Sequence, residues 1–142
     1  MIDLDPCAEP ERNVPALAHY TEQEDGLSQR WFGNVYMNPP YGSEIPLWIE
    51  RFVQHIEAGN TGIALLPARV GSRWWNMLAD AAGLYVCFLS GRLRFSGSLH
   101  SAPFPSAIVY AGDNADLFIR VFQEIGQIWV RIQSGGEYEI SS

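Results

Sequence analysis

The four residues Asn38-Pro39-Pro40-Tyr41 have the types and the spacing to bind a flat ring that carries an amino group. They follow an apolar and aromatic run at residues 34–37. Proline lacks a backbone N–H and has a fixed φ, so Pro39 and Pro40 end a strand and form a stiff, extended loop. In that loop Asn38 and the carbonyl groups around Pro39 offer acceptors for an exocyclic amino group, and Tyr41 offers an aromatic face. An ordinary proline turn with a buried tyrosine also fits these residues.

The pattern around this motif predicts an α/β fold. Apolar residues recur at three- and four-residue spacing from Glu44 to Ala58, which predicts an amphipathic helix, and Gly62 to Leu66 is typical of a strand buried on both faces. Further strands are predicted at residues 2–5, 34–38, 84–89, 107–110 and 127–132, and further helices at 14–19 (a short piece), 72–82 and from 113 or 114 to about 125. Strand–helix alternation predicts a mostly parallel sheet with an antiparallel strand near the C-terminus, and places the proline motif at the edge where such folds bind ligands.

Length and composition indicate one globular domain over residues 1–142, with 47% apolar and 18% charged residues. No apolar run approaches the ~20 residues needed to span a bilayer, and the acidic N-terminus is no signal peptide, which predicts a cytoplasmic protein without membrane contact. Cys7 and Cys87 have no CxxC spacing, which favours reduced thiols, although a disulfide stays open at this point. The three histidines lack metal-ligand spacing, which argues against a zinc site.

The net charge of −7 argues at first sight against a nucleic-acid partner, because neutralisation of phosphates dominates that affinity. The distribution of charge softens this objection. Seven of the sixteen acidic residues lie within residues 1–25, whereas four of the nine arginines lie in a span whose only acid is Asp80. These four are Arg69, Arg73, Arg92 and Arg94. One basic face on an acidic protein is the functional interpretation, and solvated or ion-paired arginines are the alternative.

Six phrases occur along the chain in an order that is more specific than the proline motif alone. They are Asp3-Leu4-Asp5-Pro6-Cys7-Ala8, His19-Tyr20-Thr21 with Asp25-Gly26-Leu27, Asn38-Pro39-Pro40-Tyr41-Gly42, Leu66-Pro67-Ala68-Arg69, Gly91-Arg92-Leu93-Arg94-Phe95 and Ala102-Pro103-Phe104-Pro105-Ser106-Ala107. Together they resemble the phage-type DNA N-6-adenine methyltransferase family, a Dam-like group of phages and prophages. The resemblance covers roughly residues 2–111 and implies a single-domain, Rossmann-like methyltransferase sheet in a protein of the bacterial host cytoplasm.

The resemblance also implies S-adenosylmethionine as the methyl donor. Asp5 would then lie near this cofactor at the end of the first strand, with Pro6, Cys7 and Ala8 forming the following turn. Asp25 and Leu27 would edge the adenosyl pocket. The chain departs from the usual glycine-rich turn of such sites, because it has Glu9-Pro10-Glu11 where small residues are expected.

For the target, the resemblance implies double-stranded DNA whose adenine is flipped out of the stack. Asn38 and the Pro39 carbonyl would accept the two N6 hydrogens, and Tyr41 would stack on the flipped ring. Positioning of the nitrogen against the methyl group supplies most of the catalysis, so neither a metal nor a strong general base is required.

Arginine side chains match both phosphates and guanine edges, so Arg69, Arg73, Arg92 and Arg94 are the candidate DNA contacts. Trp74 and Trp75 stand together near the start of a predicted helix. Because a helix is expected not to bury two adjacent residues equally, one of the pair, Trp74, is a further candidate for the site, with core packing as the favoured alternative.

Three interpretations stay open at this point. The first is an active adenine-N6 DNA methyltransferase. The second keeps the chemistry but applies it to an RNA adenine or a protein glutamine amide. The third is an inactive remnant that binds DNA or a partner without the cofactor. Relatives in the resembled family usually have preceding residues with a Thr-Pro pair, and a short version with weak activity is expected if that segment closes the cofactor pocket.

Overall fold

The computed structural model of the protein describes residues 1–81, 83–92 and 104–131. Seven strands and three helices lie in these ranges. In chain order they are β1 (Ile2–Asp5), β2 (Ala16–His19), β3 (Val35–Met37), α1 (Ile45–Glu57), β4 (Gly62–Pro67), α2 (Arg73–Ala79), β5 (Tyr85–Leu89), β6 (Ser106–Ala111), α3 (Ala115–Phe122) and β7 (Gly126–Val130). A short 3-10 turn at Gly26–Ser28 precedes β3. The α/β class predicted from the alternation of patterns is confirmed.

The seven strands form one sheet in the order β2-β1-β3-β4-β6-β5-β7. Three pairings, β1–β2, β1–β3 and β3–β4, are parallel, and the other three, β4–β6, β5–β6 and β5–β7, are antiparallel. The prediction of a mostly parallel sheet is therefore wrong, whereas antiparallel pairing near the C-terminus is confirmed. The reason is that β6 inserts between β4 and β5 and runs against both, a placement that strand–helix alternation does not determine.

The segment predicted as a short helix at residues 14–19 is instead strand β2 at one edge of the sheet. It pairs in parallel with β1, with Ala18 opposite Leu4 and His19 opposite Asp5. The His19 ring lies 2.7 Å from the Val14 carbonyl oxygen and closes the turn that enters the strand. Pairing with a neighbouring strand overrides the weak local preference of such a short segment.

Helices α1 and α2 cover one face of the sheet and form the main core with it. The predicted helix after the proline motif is confirmed as α1, and its apolar stripe is buried as its spacing requires. Phe52 is fully buried and lies against Gly62 of β4 so closely that an added Cβ there would be 2.6 Å from its ring. The helix therefore packs directly onto the strand that follows it.

Helix α2 begins where the sequence predicts, because the Ser72 hydroxyl accepts a hydrogen bond from the Trp75 N–H at 3.3 Å. The expectation that the two tryptophans would be buried unequally is wrong, whereas core packing, the favoured interpretation, is confirmed. Trp74 and Trp75 are 9% and 7% exposed, and their rings meet edge to face at 5.9 Å. Both are enclosed because α2 contacts α1 as well as the sheet, where Trp75 stacks on Phe88 of β5.

In the described ranges no helix has the length and apolar character to cross a membrane. Within the same ranges no group of three or more His, Cys, Asp or Glu side chains is placed to hold a metal ion. Cys7 and Cys87 are both free thiols.

Candidate active site

A cavity of about 780 Å³ opens beyond the carboxyl ends of β1 and β3. Its walls come from three loops, formed by residues 6–10, by residues 21–22 with 25–27, and by residues 38–41, together with Glu44 and Trp48 next to and within α1. Strands β1 and β3 are parallel neighbours, so the loops that follow them meet at the same edge of the sheet. Three loops that are separate in sequence thus enclose a single cavity.

All four residues of the proline motif line this cavity. Asn38 is half-buried directly after β3, Pro39 is buried and Pro40 is exposed. Tyr41 is half-buried and meets Phe104 edge to face, with 5.0 Å between ring centres. Burial raises the pKa of the Tyr41 phenol. The motif therefore presents polar acceptors and a neutral aromatic ring to the same space.

Cys7, in the loop after β1, lines the cavity together with the proline motif. Burial together with the charge of Asp5 raises the pKa of the Cys7 thiol well above its ordinary range. Cys7 is therefore a neutral thiol at physiological pH. It lines the cavity together with Asn38, which the sequence predicts to be catalytic.

Asp5 lies beneath the cavity, outside the set of residues that line it. Its side chain is 3% exposed and accepts a hydrogen bond from the Cys7 N–H at 3.3 Å. Burial raises the pKa of this carboxyl, while the Cys7 N–H and the nearby His19 work against that rise. In this position Asp5 supports the turn, whereas Pro6, Cys7 and Ala8, the other residues predicted to contact the cofactor here, line the cavity.

The turn at Asp25 and Gly26 forms the opposite wall. Asp25 has a left-handed backbone, with φ of +54°, and its side chain is exposed at the cavity. Gly26 lies so close to the first loop that an added Cβ would be 1.9 Å from the Pro6 carbonyl oxygen. The Gly26 carbonyl accepts a hydrogen bond from the Trp31 indole N–H at 2.8 Å. Backbone contact and this buried hydrogen bond together hold Asp25 and its neighbour Leu27 at the cavity.

Acidic side chains dominate the charge of the cavity. Four carboxylates line it, from Glu9, Glu22, Asp25 and Glu44, and no Arg or Lys is among the described lining residues. Opposite charges attract most strongly where solvent is partly excluded, so these walls favour a ligand that carries positive charge.

Trp48 is a lining residue that the sequence patterns did not single out. Its ring is 6% exposed and stacks near Trp31, with 6.3 Å between ring centres. Among the described residues its indole N–H has no hydrogen-bond partner. The helical spacing of α1 identifies Trp48 correctly as a core residue, and no further signal in the sequence separates it from the other core positions.

The arginines predicted to contact DNA that lie within the described residues, Arg69, Arg73 and Arg92, do not line the cavity. Arg69 is exposed after β4, and its guanidinium carbon lies 5.3 Å from the centre of the Phe104 ring, which in turn packs on Tyr41. Arg73 and Arg92 are also exposed, and Arg94 lies outside the described residues. Trp74 is in the core, where it packs against Trp75. Among the described candidates, Arg69 is thus linked to the proline motif through the ring of Phe104.

Comparison with known proteins agrees with this geometry. The family model described as DNA N-6-adenine-methyltransferase (Dam) matches residues 1–127, which include all three loops of the cavity. The DNA N-6-adenine-methyltransferase of Haemophilus phage HP1 (strain HP1c1) is 29% identical over 94 residues, which are 66% of this chain and 54% of that protein. The chain therefore spans about half the length of this relative. The family resemblance predicted from the ordered motifs is confirmed.

Proposed function

Because the chain belongs to the DNA N-6-adenine-methyltransferase (Dam) family, we propose that it transfers a methyl group from S-adenosylmethionine to the N6 amino group of an adenine in DNA. The observation that carries this proposal is the placement of the whole proline motif in the wall of an acid-lined cavity. Acceptors for an amino group and a site that favours a cationic ligand share one space there.

The cavity suits the proposed methyl donor in size and in charge. Its volume of about 780 Å³ lies within the usual range of cofactor sites. S-adenosylmethionine, when bound, supplies an electrophilic methyl group on a positively charged sulfur, and it carries an ammonium group as well. Asp25 and the other carboxylates in the walls would attract these charges, and Leu27 and Trp48 would contact the adenosyl group. The buried indole N–H of Trp48 offers a donor for which the described residues provide no acceptor.

The proline motif would hold the target base. Adenine in duplex DNA must leave the stack before an enzyme reaches its amino group. Asn38 and the Pro39 carbonyl would then accept the two N6 hydrogens, and the neutral ring of Tyr41 would stack on the base, an interaction worth about 1–3 kcal/mol. The methyl donor would share this space with Cys7, whose raised pKa keeps it a thiol and so a poor competitor for the methyl group.

Arg69 is the best-placed residue for a contact with the DNA backbone. It is exposed, and Phe104 separates it from Tyr41 at the cavity. An arginine fork binds a phosphate through two hydrogen bonds, which would fix the duplex beside the site into which the base is flipped. On a protein with a net charge of −7, such local contacts must overcome repulsion between the phosphates and the acidic remainder of the chain.

Replacement of Asn38 by alanine tests the proposal. We expect Asn38→Ala to lower the transfer of tritiated methyl groups to duplex DNA by at least about 100-fold, since an acceptor that aligns the nucleophile is lost. Calorimetric binding of S-adenosylmethionine and the thermal unfolding curve should match those of the parent protein. Asn76→Ala, on an exposed position of α2, is the matched control and should retain activity.

The same assay distinguishes the remaining interpretations. Recovery of the methyl groups in RNA or in protein, and not in DNA, would mean that the substrate is not a DNA adenine. Absence of S-adenosylmethionine binding by the parent protein, both alone and with adenine-containing duplex, would overturn the proposed activity and leave a binding protein. Full activity of Asn38→Ala would mean that the proline motif does not act in methyl transfer through Asn38 as proposed.

A further inference from the structure

Phe104 is a half-buried aromatic residue to which the proposed function assigns no role. The centre of its ring lies 5.0 Å from the centre of the Tyr41 ring and 5.3 Å from the guanidinium carbon of Arg69. Tyr41 lines the cavity, whereas Arg69 is exposed to solvent. A single ring therefore contacts both the candidate platform for the base and the candidate contact with the DNA backbone.

The backbone that follows Phe104 is fixed in position. The next residue is Pro105, and a residue before proline is restricted to extended conformations. The Pro105 carbonyl accepts a hydrogen bond from the Ala68 N–H at 2.8 Å, directly beyond the antiparallel ladder of β4 and β6. The insertion of β6 next to β4 thus places Phe104 beside Arg69, although the two residues are distant in sequence.

The backbone of Arg69 is fixed as well, while its guanidinium stays available to a ligand. The Arg69 carbonyl accepts hydrogen bonds from the Ser72 N–H at 3.2 Å and from the Ser72 hydroxyl at 2.8 Å. Within the described ranges the ion pairs are those of Arg12 and Arg131, so no described carboxylate is paired with Arg69. A guanidinium held over an aromatic face keeps its N–H donors for a phosphate.

Contact with the ring lowers the entropic cost of binding a phosphate. An exposed arginine occupies many rotamers, and a phosphate contact must select one of them. The attraction between the guanidinium and the face of Phe104 makes this selection before DNA arrives. On the other side, the angle of 65° between the rings of Phe104 and Tyr41 is that of an edge-to-face contact, which restricts the tilt of the tyrosine.

We propose that Phe104 is a positioning residue, whose ring orients the guanidinium of Arg69 towards a phosphate of the DNA backbone and braces the ring of Tyr41 that receives the flipped base. This role rests on the proposed function. The two contacts themselves exist in the protein without DNA or cofactor, and each has its own measurement.

Binding of DNA tests the contact with Arg69. In fluorescence anisotropy with an adenine-containing duplex, we expect roughly tenfold weaker binding by Arg69→Gln and roughly threefold weaker binding by Phe104→Leu. The double variant should bind no more weakly than Arg69→Gln, because the ring acts on the phosphate through that arginine. Phe104→Tyr keeps the ring and should bind as the parent protein does. Phe122→Leu, at a half-buried phenylalanine of α3, is the matched control and should also bind normally.

The single-turnover rate of methyl transfer at saturating DNA tests the contact with Tyr41. We expect Phe104→Leu to lower this rate roughly tenfold, because alignment of the target nitrogen depends on the stacked base. Arg69→Gln should retain the rate, because excess DNA compensates for a lost phosphate contact. A purely structural role of Phe104 would not divide rate and affinity between its two neighbours in this way.

Nuclear magnetic resonance tests the contact with Arg69 without DNA. In protein carrying ¹³C-labelled arginine, the Arg69 side-chain signals are identified by their loss in Arg69→Gln. The ring of Phe104 should shift the δ-methylene protons of Arg69 upfield of those of Arg120, an exposed arginine of α3, and Phe104→Leu should abolish the shift. If Phe104→Leu does not fold, the shift in the parent protein still decides whether the contact exists.

The outcomes separate this proposal from the proposed function. Losses of DNA affinity that multiply in the double variant, an Arg69 signal without the upfield shift, or a full rate in Phe104→Leu would each overturn the role of Phe104 and leave the methyltransferase intact. Coupled losses of affinity in a protein that binds DNA but transfers no methyl group would overturn the proposed function and support the role of Phe104 towards Arg69. A parent protein without affinity for duplex DNA would overturn both.

Discussion

At the scale of single residues, the site is defined by which side chains face the cavity and which support it from below. Asn38, Asp25 and Cys7 line the cavity, whereas Asp5 lies beneath it and bonds to the backbone of the turn. Two aspartates that the sequence assigns to the same cofactor site thus occupy different environments. The exposed one is available to a ligand, and the buried one stabilises the loop.

Replacement of Asp25 by asparagine isolates the charge of the exposed carboxylate. Asparagine tolerates the left-handed backbone of this position, where φ is +54°, so we expect the fold to be retained. Loss of one negative charge at the wall should weaken binding of S-adenosylmethionine roughly tenfold, equivalent to about 1.4 kcal/mol. Calorimetric titration measures the change, with Asp113→Asn, on an exposed loop, as the control. An unchanged dissociation constant would mean that the Asp25 carboxylate does not contribute to cofactor binding.

At the scale of elements, the cavity depends on contact between loops that are distant in sequence. The loop after β1 and the turn at residues 25–27 meet at Gly26, where there is no space for a side chain. The hydrogen bond from Trp31 to the Gly26 carbonyl holds the same turn against the core. The positions of the residues that line the cavity from these two loops therefore depend on the backbone contact at Gly26.

Replacement of Gly26 by alanine breaks that contact. An added Cβ would lie 1.9 Å from the Pro6 carbonyl oxygen, so one of the two loops must move. We expect Gly26→Ala to lower the free energy of unfolding by about 1–3 kcal/mol and to weaken cofactor binding strongly. Urea denaturation and calorimetry measure the two effects.

Gly59→Ala is the matched control, because Gly59 has φ of +95° but nothing within 4 Å of an added Cβ. It should show backbone strain of about 1 kcal/mol without any loss of cofactor binding. Equal binding by Gly26→Ala and the parent protein would mean that the two loops adjust independently.

At the scale of the whole molecule, a buried histidine makes the free energy of unfolding depend on pH. His55 of α1 is 4% exposed and lies 2.8 Å from the Gly33 carbonyl oxygen. Burial, assisted by the charge of Arg51, lowers the pKa of His55 below its ordinary value of 6.5. The folded protein therefore holds a neutral imidazole at a pH where the unfolded chain already binds a proton.

This difference predicts how stability depends on pH. The free energy of unfolding should fall as the pH is lowered from 7 through 6.5, because the unfolded state gains this proton at a higher pH than the folded state does. Asp5 acts in the opposite direction, since its raised pKa favours the folded state on acidification. Urea denaturation between pH 5 and 7.5 measures the slope. His55→Gln, which keeps a donor for the Gly33 carbonyl, should flatten it, and an equal slope in this variant would assign the effect to other groups.

The sequence by itself determined the local features of this protein. The proline motif after a short strand, the apolar stripe of α1 and the serine cap of α2 were all predicted correctly, because each depends on residues within one or two turns of chain. Family membership was also predicted, because the order of the motifs along the chain is itself sequence information.

Only the tertiary structure decided which segments meet. β2 became a strand because β1 lies beside it, β6 runs antiparallel because it inserts between β4 and β5, and both tryptophans of α2 are buried because that helix contacts α1 and the sheet together. The same holds at the site, where Asp5 lies below the cavity and Phe104 packs on the ring of Tyr41, 63 positions earlier in the chain. Contacts across such separations are selected by the packing of the whole core, and no local pattern of residues encodes them.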